Sequence, residues 1–179
     1  MKIRLTIKWS KIFPFIEASN FPKRSGIYAI LIREKSMHRL LRIGAAHNLK
    51  KRPANYIDIP KGYLKSLKVS YYIVPDGFKK QIKKLIGSKK EYRQYIKKRD
   101  PEWAEYRIER LMIDRYCQRW ETLPPANFQR GSRRGYLKDI KVKESGNLKV
   151  LNLKPAEPSE DLKLSLKQNK SRFITNRFT

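Results

Sequence analysis

Four residues of this chain have types and neighbours that could carry chemistry. Tyr28 follows Gly26 in the apolar run GIYAILI. Its hydroxyl can donate or accept, and as a weak acid titrating ordinarily near about 10 it needs a nearby cation to lose its proton at neutral pH. Arg52 ends NLKKR, a cationic run just beyond Asn48, and its guanidinium is a planar fork that stays charged. Glu109 lies in PEWAEYRIERLMIDRYCQRW, where Met112, Ile113 and Tyr116 recur from it at helical spacing. That stripe sets Glu109 on or beside an inward face, where a carboxylate needs a cation or a metal. Asn127 follows two prolines. Each residue also has an ordinary structural explanation: a core tyrosine, a solvated basic helix face, a Glu–Arg pair at the core edge, a turn. Their joint occurrence is the signal.

The charge narrows the partners. Against 16 Asp and Glu stand 43 Lys and Arg, a formal +27 over 179 residues. Such a field favours polyanions, nucleic acid foremost. No apolar run approaches the roughly 18–20 residues of a membrane-spanning helix, so no membrane partner is expected. The opening MKIRLTIKWSKIF alternates charged and apolar residues, unlike a secretion signal. A lone Cys117 excludes an internal disulfide and a cysteine zinc site, and fits a reducing, intracellular compartment. With His38 and His47 as the two histidines, a metal would be held by carboxylate oxygen, which suits Mg²⁺-like cations.

The elements that must carry these residues follow from periodicity. KIRLTIKW alternates with period two and reads as a short strand, and Ser10 as a cap for KIFPFIEA, which Pro14 limits to a turn or two. GIYAILI (26–32) and RLLRIG (39–44) read as neighbouring strands joined by REKSMH, with LKVSYYIV (67–74) as a third. Asn48 is placed to cap a helix toward Tyr56 that Pro53 shortens or kinks. Helical composition runs from Phe78 to Arg99, interrupted at Gly87-Ser88, with ten Lys or Arg between 79 and 99 against Glu91 alone. Asp100-Pro101 opens a helix to about Arg119. Residues 131–179, with 12 basic and 5 acidic, read as a tail with little core of its own, NLKVLNL (147–153) being a candidate strand. The expected fold is α/β (α+β): a small three-stranded sheet flanked by helices. It divides into an extension over 1–23, a domain over 24–128 with a basic helical insert at about 78–99, and a basic nucleic-acid-binding tail over 129–179.

GIYAI, RIGAAHNLKKR, ERLMIDRY and PPAN together resemble the GIY-YIG nucleases, most closely the nucleotide-excision-repair branch, over residues 24–128. That family joins a Gly-Ile-Tyr strand to a Tyr-Ile-Gly strand, follows them with a helix bearing an essential arginine, and adds a metal-binding glutamate and a terminal asparagine. The resemblance implies catalytic roles for Tyr28, Arg42, Arg52, Glu109 and Asn127, with Glu109 as ligand of one Mg²⁺ or Mn²⁺. Arg42 stands where the family has its second tyrosine, and Tyr56 four residues beyond Arg52, as in the repair branch. Glu105 reads as a surface carboxylate on the same helix.

The function so implied is metal-dependent DNA endonuclease, of restriction, homing or mobile-element type, with RNA a possible substrate and an oligomer a possible state. The alternative is a catalytically inactive binding subunit of a ribonucleoprotein or repair complex. Lys50, Lys51, Lys83, Lys84, Lys89, Lys90, Arg133 and Arg134 would bind phosphates irrespective of sequence.

Overall fold

Period-two alternation decides the first element. In β1 (Ile3–Lys8), Ile3, Leu5 and Ile7 are buried while Arg4, Thr6 and Lys8 are exposed. The computed structural model describes residues 2–54, 56, 59–88, 104–127 and 139–166. The partner of β1 is β6 (Ile140–Ser145), which turns Ile140 and Val142 inward. The pair is parallel, from Ile3 beside Ile140 to Lys8 beside Ser145. Parallel neighbours cannot be joined by a tight turn, and the crossover here is all the chain between them. Residues 140–166 are thus not a tail without core: Ile140, Val142, Val150, Ala156, Leu162 and Leu166 are all buried. The strand expected at 147–153 is a 3₁₀ turn, Val150–Asn152, and the true strand lies upstream. Basic composition concealed it, since Lys141 and Lys143 are the exposed half of an amphipathic strand.

The sheet expected with three strands has four, in the order β2 (Phe13–Pro14), β5 (Leu67–Ile73), β3 (Gly26–Glu34), β4 (Met37–Ala46). All its pairings are antiparallel. β2 adds two residues at one edge, where Pro14 lacks the N–H that further pairing needs. β3 is the central strand, buried from Gly26 to Ile32, which is why it reads as a continuous apolar run. Its turn to β4 is only Lys35-Ser36, with Lys35 at φ 55, so both strands outrun their expected ends. The register slips between Ile30 and Leu31, leaving Leu41 as a bulge in β4.

Both faces of this sheet are covered. Ile27, Ala29, Leu31 and Ile43 join a core with the two-stranded sheet, α2 (Asp76–Ser88) and α3 (Ala104–Trp120). Tyr28, Ile30, Leu41 and Val69 join another with Phe15, Phe21, Leu49, Tyr56 and Leu162. α3 ties down the returning chain: the Tyr116 hydroxyl donates to Leu153 O at 3.1 Å, the Trp120 indole to Leu151 O at 3.0 Å, and Arg115 to Val142 O. α1 (Lys51–Ala54) is a single turn, as short as Pro53 suggested. It is the Asn48 carbonyl, not its side chain, that accepts from Lys51 N and Arg52 N, at 3.2 and 3.3 Å. Ser10 caps no helix; its hydroxyl meets Ser70 Oγ at 3.1 Å and accepts from Tyr71 N at 3.0 Å. The expected helix start at Asp100-Pro101 and the basic stretch 89–99 lie outside the described residues. Among the described residues, no helix is long and apolar enough to cross a membrane.

Candidate active site

Tyr28 stands opposite Gly44 in the β3–β4 ladder. A Cβ on Gly44 would lie 2.3 Å from Tyr28 Cζ and 2.4 Å from its hydroxyl oxygen, so glycine is what lets the ring lie on β4. The hydroxyls of Tyr28 and Tyr56 are 2.7 Å apart in a buried pair. Burial pushes the Tyr56 hydroxyl well above its ordinary value, with Arg42 pulling the other way.

Arg42 pairs with Ile30 and therefore shares the face of Ile30 and Tyr28. It is 2% exposed; its guanidinium donates to Ala126 O at 2.6 Å and lies 5.9 Å from the Tyr56 ring centre. Burial works against its charge, but Tyr56, Tyr28 and Glu109 outweigh it and raise the pKa. Arg42 is thus a buried cation set against the tyrosine pair, and it does not face the solvent.

Arg52, on α1, is partly buried. Burial opposes its charge, and Tyr28, Tyr56 and Tyr106 overcome that and raise its pKa. Glu109, on α3, is half-buried, and its charge acts on Arg42 and on Tyr106. Burial raises the Tyr106 hydroxyl, while Arg52 lowers it and Glu109, Glu105 and Tyr28 add to the rise. Tyr28, Arg42, Arg52 and Glu109 accordingly share one electrostatic neighbourhood, completed by Tyr56 and Tyr106. Sequence reasoning had not counted those two tyrosines as site members. Their spacing, four beyond Arg52 and three before Glu109, was the available signal.

Asn127 is bonded to β4. Its Oδ1 accepts from Ile43 N at 2.9 Å and its Nδ2 donates to Ile43 O at 2.8 Å. The side-chain amide thereby serves the outer edge of β4 as a neighbouring strand's peptide would, next to Ala126 N donating to Leu41 O at 2.8 Å. It thereby fixes the residue between Arg42 and Gly44.

Glu105 is fully buried, not on the surface as expected, and pairs with His47 Nδ1. Burial raises its carboxyl above the ordinary range, opposed by its backbone hydrogen bond, His47 and Lys79. The His47 ring stands edge-on to Tyr106 at 5.4 Å, which joins this pair to the neighbourhood of Arg52. Next to His47 opens a recess of about 460 Å³ lined by Lys23, Arg24, Ser25 and Lys79. Lys50, Lys51, Lys83 and Lys84 are exposed, while Lys89, Lys90, Arg133 and Arg134 lie outside the described residues. Among the described residues, no three His, Cys, Asp or Glu gather where they could hold a metal ion. No family model, curated protein or solved structure matches the chain.

Proposed function

We propose that the chain is a GIY-YIG-type endonuclease that hydrolyses phosphodiester bonds in DNA with a divalent metal. The observation that supports this is the shared electrostatic neighbourhood of Tyr28, Arg42, Arg52 and Glu109, drawn from β3, β4, α1 and α3. Hydrolysis needs an oriented water, a cation for the charge that builds on the phosphate, and support for the leaving oxygen. In this scheme Arg52, the less buried of the two arginines, holds the nonbridging oxygens as a planar fork. The Tyr28 hydroxyl orients the water, and Arg42 works against the burial that keeps the Tyr56 hydroxyl protonated. Glu109, half-buried and open to solvent on one side, would hold Mg²⁺ or Mn²⁺, with waters and phosphate oxygens completing the shell as Mg²⁺ sites allow. The metal would supply Lewis acidity at the phosphate and leaving oxygen. Lys23, Arg24 and Lys79 in the recess, with exposed Lys50, Lys51, Lys83 and Lys84, would hold flanking phosphates.

The test is nicking of supercoiled plasmid in Mg²⁺ or Mn²⁺ by the wild-type chain and by Glu109→Ala. Metal-dependent nicking lost in the variant supports the proposal. Tight binding of DNA or RNA with no cleavage in either metal replaces it with a second reading, a binding subunit without turnover. One observation favours that reading: Tyr28 is 1% exposed, and its hydroxyl is already engaged by Tyr56.

A further inference from the structure

The two-stranded sheet carries charge that its own stability does not explain. On its outer face Arg4 stands directly opposite Lys141, and Lys143 opposite Thr6, with Lys8 beyond them. Like charges across a strand pair repel and cost stability. This is therefore a face whose energetic cost a polyanion would relieve.

Because the strands are parallel, both run out at the same end, and that end opens into a cavity of about 1030 Å³. Lys8 at the end of β1 and Trp9 just beyond it line the cavity, with Gly146 and Leu148 from the chain leaving β6. Its walls mix apolar side chains such as Ile12 and Leu153 with the cations Lys11 and Lys154 and with Arg39, which is paired with Glu34 at 2.5 Å. The wall is fixed by Glu144, which accepts from Trp9 Nε1 at 2.6 Å, Val150 N at 2.9 Å and Leu151 N at 3.0 Å. Cationic strand face and apolar, cation-rimmed hollow thus form one continuous surface, set apart from the Tyr28 neighbourhood.

We propose that this surface binds single-stranded nucleic acid, with the phosphates along Arg4, Lys141, Lys143 and Lys8 and the unstacked bases in the cavity beside Trp9. A duplex keeps its bases paired and stacked and has nothing to place in such a hollow, whereas single strands are held by a basic track plus apolar and aromatic contact to bases. An acidic peptide would match the charge but leave the apolar interior unfilled. The proposal requires only binding, so it stands or falls apart from cleavage.

The experiment measures fluorescence anisotropy of a labelled 20-nucleotide oligothymidylate and of a 20-base-pair duplex, in EDTA so that no metal-dependent cutting contributes. The wild-type chain is compared with Arg4→Gln/Lys141→Gln/Lys143→Gln, whose three positions are exposed and whose fold is checked by circular dichroism. The oligothymidylate is expected to bind at least about tenfold tighter than the duplex, and the triple variant to lose at least about tenfold. The slope of log affinity against log salt should fall by about 0.7 per cation removed, hence by about 2. An oligothymidylate carrying 5-iodouracil should cross-link within residues 8–12 or 146–154. A preference for the duplex, an unchanged triple variant, displacement by poly-glutamate at equal charge, or cross-links confined to other segments overturns the proposal. Binding as expected beside a wild-type chain that never cleaves would leave it intact while removing the nuclease reading.

Discussion

The ring of Tyr28 occupies the volume that a side chain on Gly44 would need, its Cζ 2.3 Å and its hydroxyl oxygen 2.4 Å from the position of that Cβ. Gly44→Ala is therefore expected to cost about 1–3 kcal/mol, the range for overpacking a filled core. Urea denaturation measures it. In a Tyr28→Ala background the same change should cost much less, because the clashing ring is gone. Equal costs in both backgrounds would contradict the contact.

The two arginines should separate stability from activity. Arg42→Ala strands the buried Ala126 carbonyl and opens a cavity beside the tyrosines, at about 3 kcal/mol. Arg52→Ala, at a partly exposed site, should shift stability by about 1 kcal/mol or less while lowering the proposed cleavage by about 10²–10³. Thermal melts and single-turnover nicking distinguish the two. Arg52→Ala cutting at the wild-type rate would remove Arg52 from the proposed chemistry.

Asn127→Ala should weaken the fold by about 2–3 kcal/mol, since the buried N–H and C=O of Ile43 both lose a partner. Asn127→Asp should be worse, because a carboxylate cannot donate to the Ile43 carbonyl. The Mg²⁺ concentration giving half-maximal cleavage should not change in whatever fraction stays folded. A shifted metal requirement would instead give Asn127 a part in the metal site.

Glu105 makes stability depend on pH in a definite direction. Its folded pKa is raised, by burial foremost, so between about 4.5 and that raised value the folded state holds more protons than the unfolded. Its contribution is fully present below about 4.5 and is lost as pH rises through the folded pKa. Glu105→Gln cannot lose a proton, so the stability of the variant relative to wild type should climb as pH rises above about 4.5. Denaturant midpoints of both proteins from pH 4 to 8 check it, and a constant difference would show that the carboxyl titrates alike in both states.

Much of the sheet was legible because β3 is buried on both faces and must be apolar throughout, and because Gly44 in RIG marks the place where a ring lies. β6 could not be read as readily, because its inward residues are only Ile140 and Val142 amid lysines, and its partner lies at the far end of the sequence. The burial of Glu105 and the sheet-edge bonds of Asn127 were not legible for a related reason. A buried carboxylate is acceptable here only because His47 reaches it, and an asparagine completes a sheet edge only because Ile43 offers both peptide groups to it. Partners distant in sequence leave no local pattern.

The parallel pairing of β1 with β6 has a consequence for biosynthesis. Residues 3–8 leave the ribosome well before β6, so Ile3, Leu5 and Ile7 have no ladder to join until Ser145 has emerged. Throughout translation the amino-terminal strand is an unpaired, half-apolar edge, the kind of segment that chaperones hold and that neighbouring chains capture. Closing so long a loop is also slow, because the chain entropy is lost before the ladder forms. The lysines and arginine alternating along both strands then serve as gatekeepers during synthesis, keeping nascent chains apart until each strand meets the other.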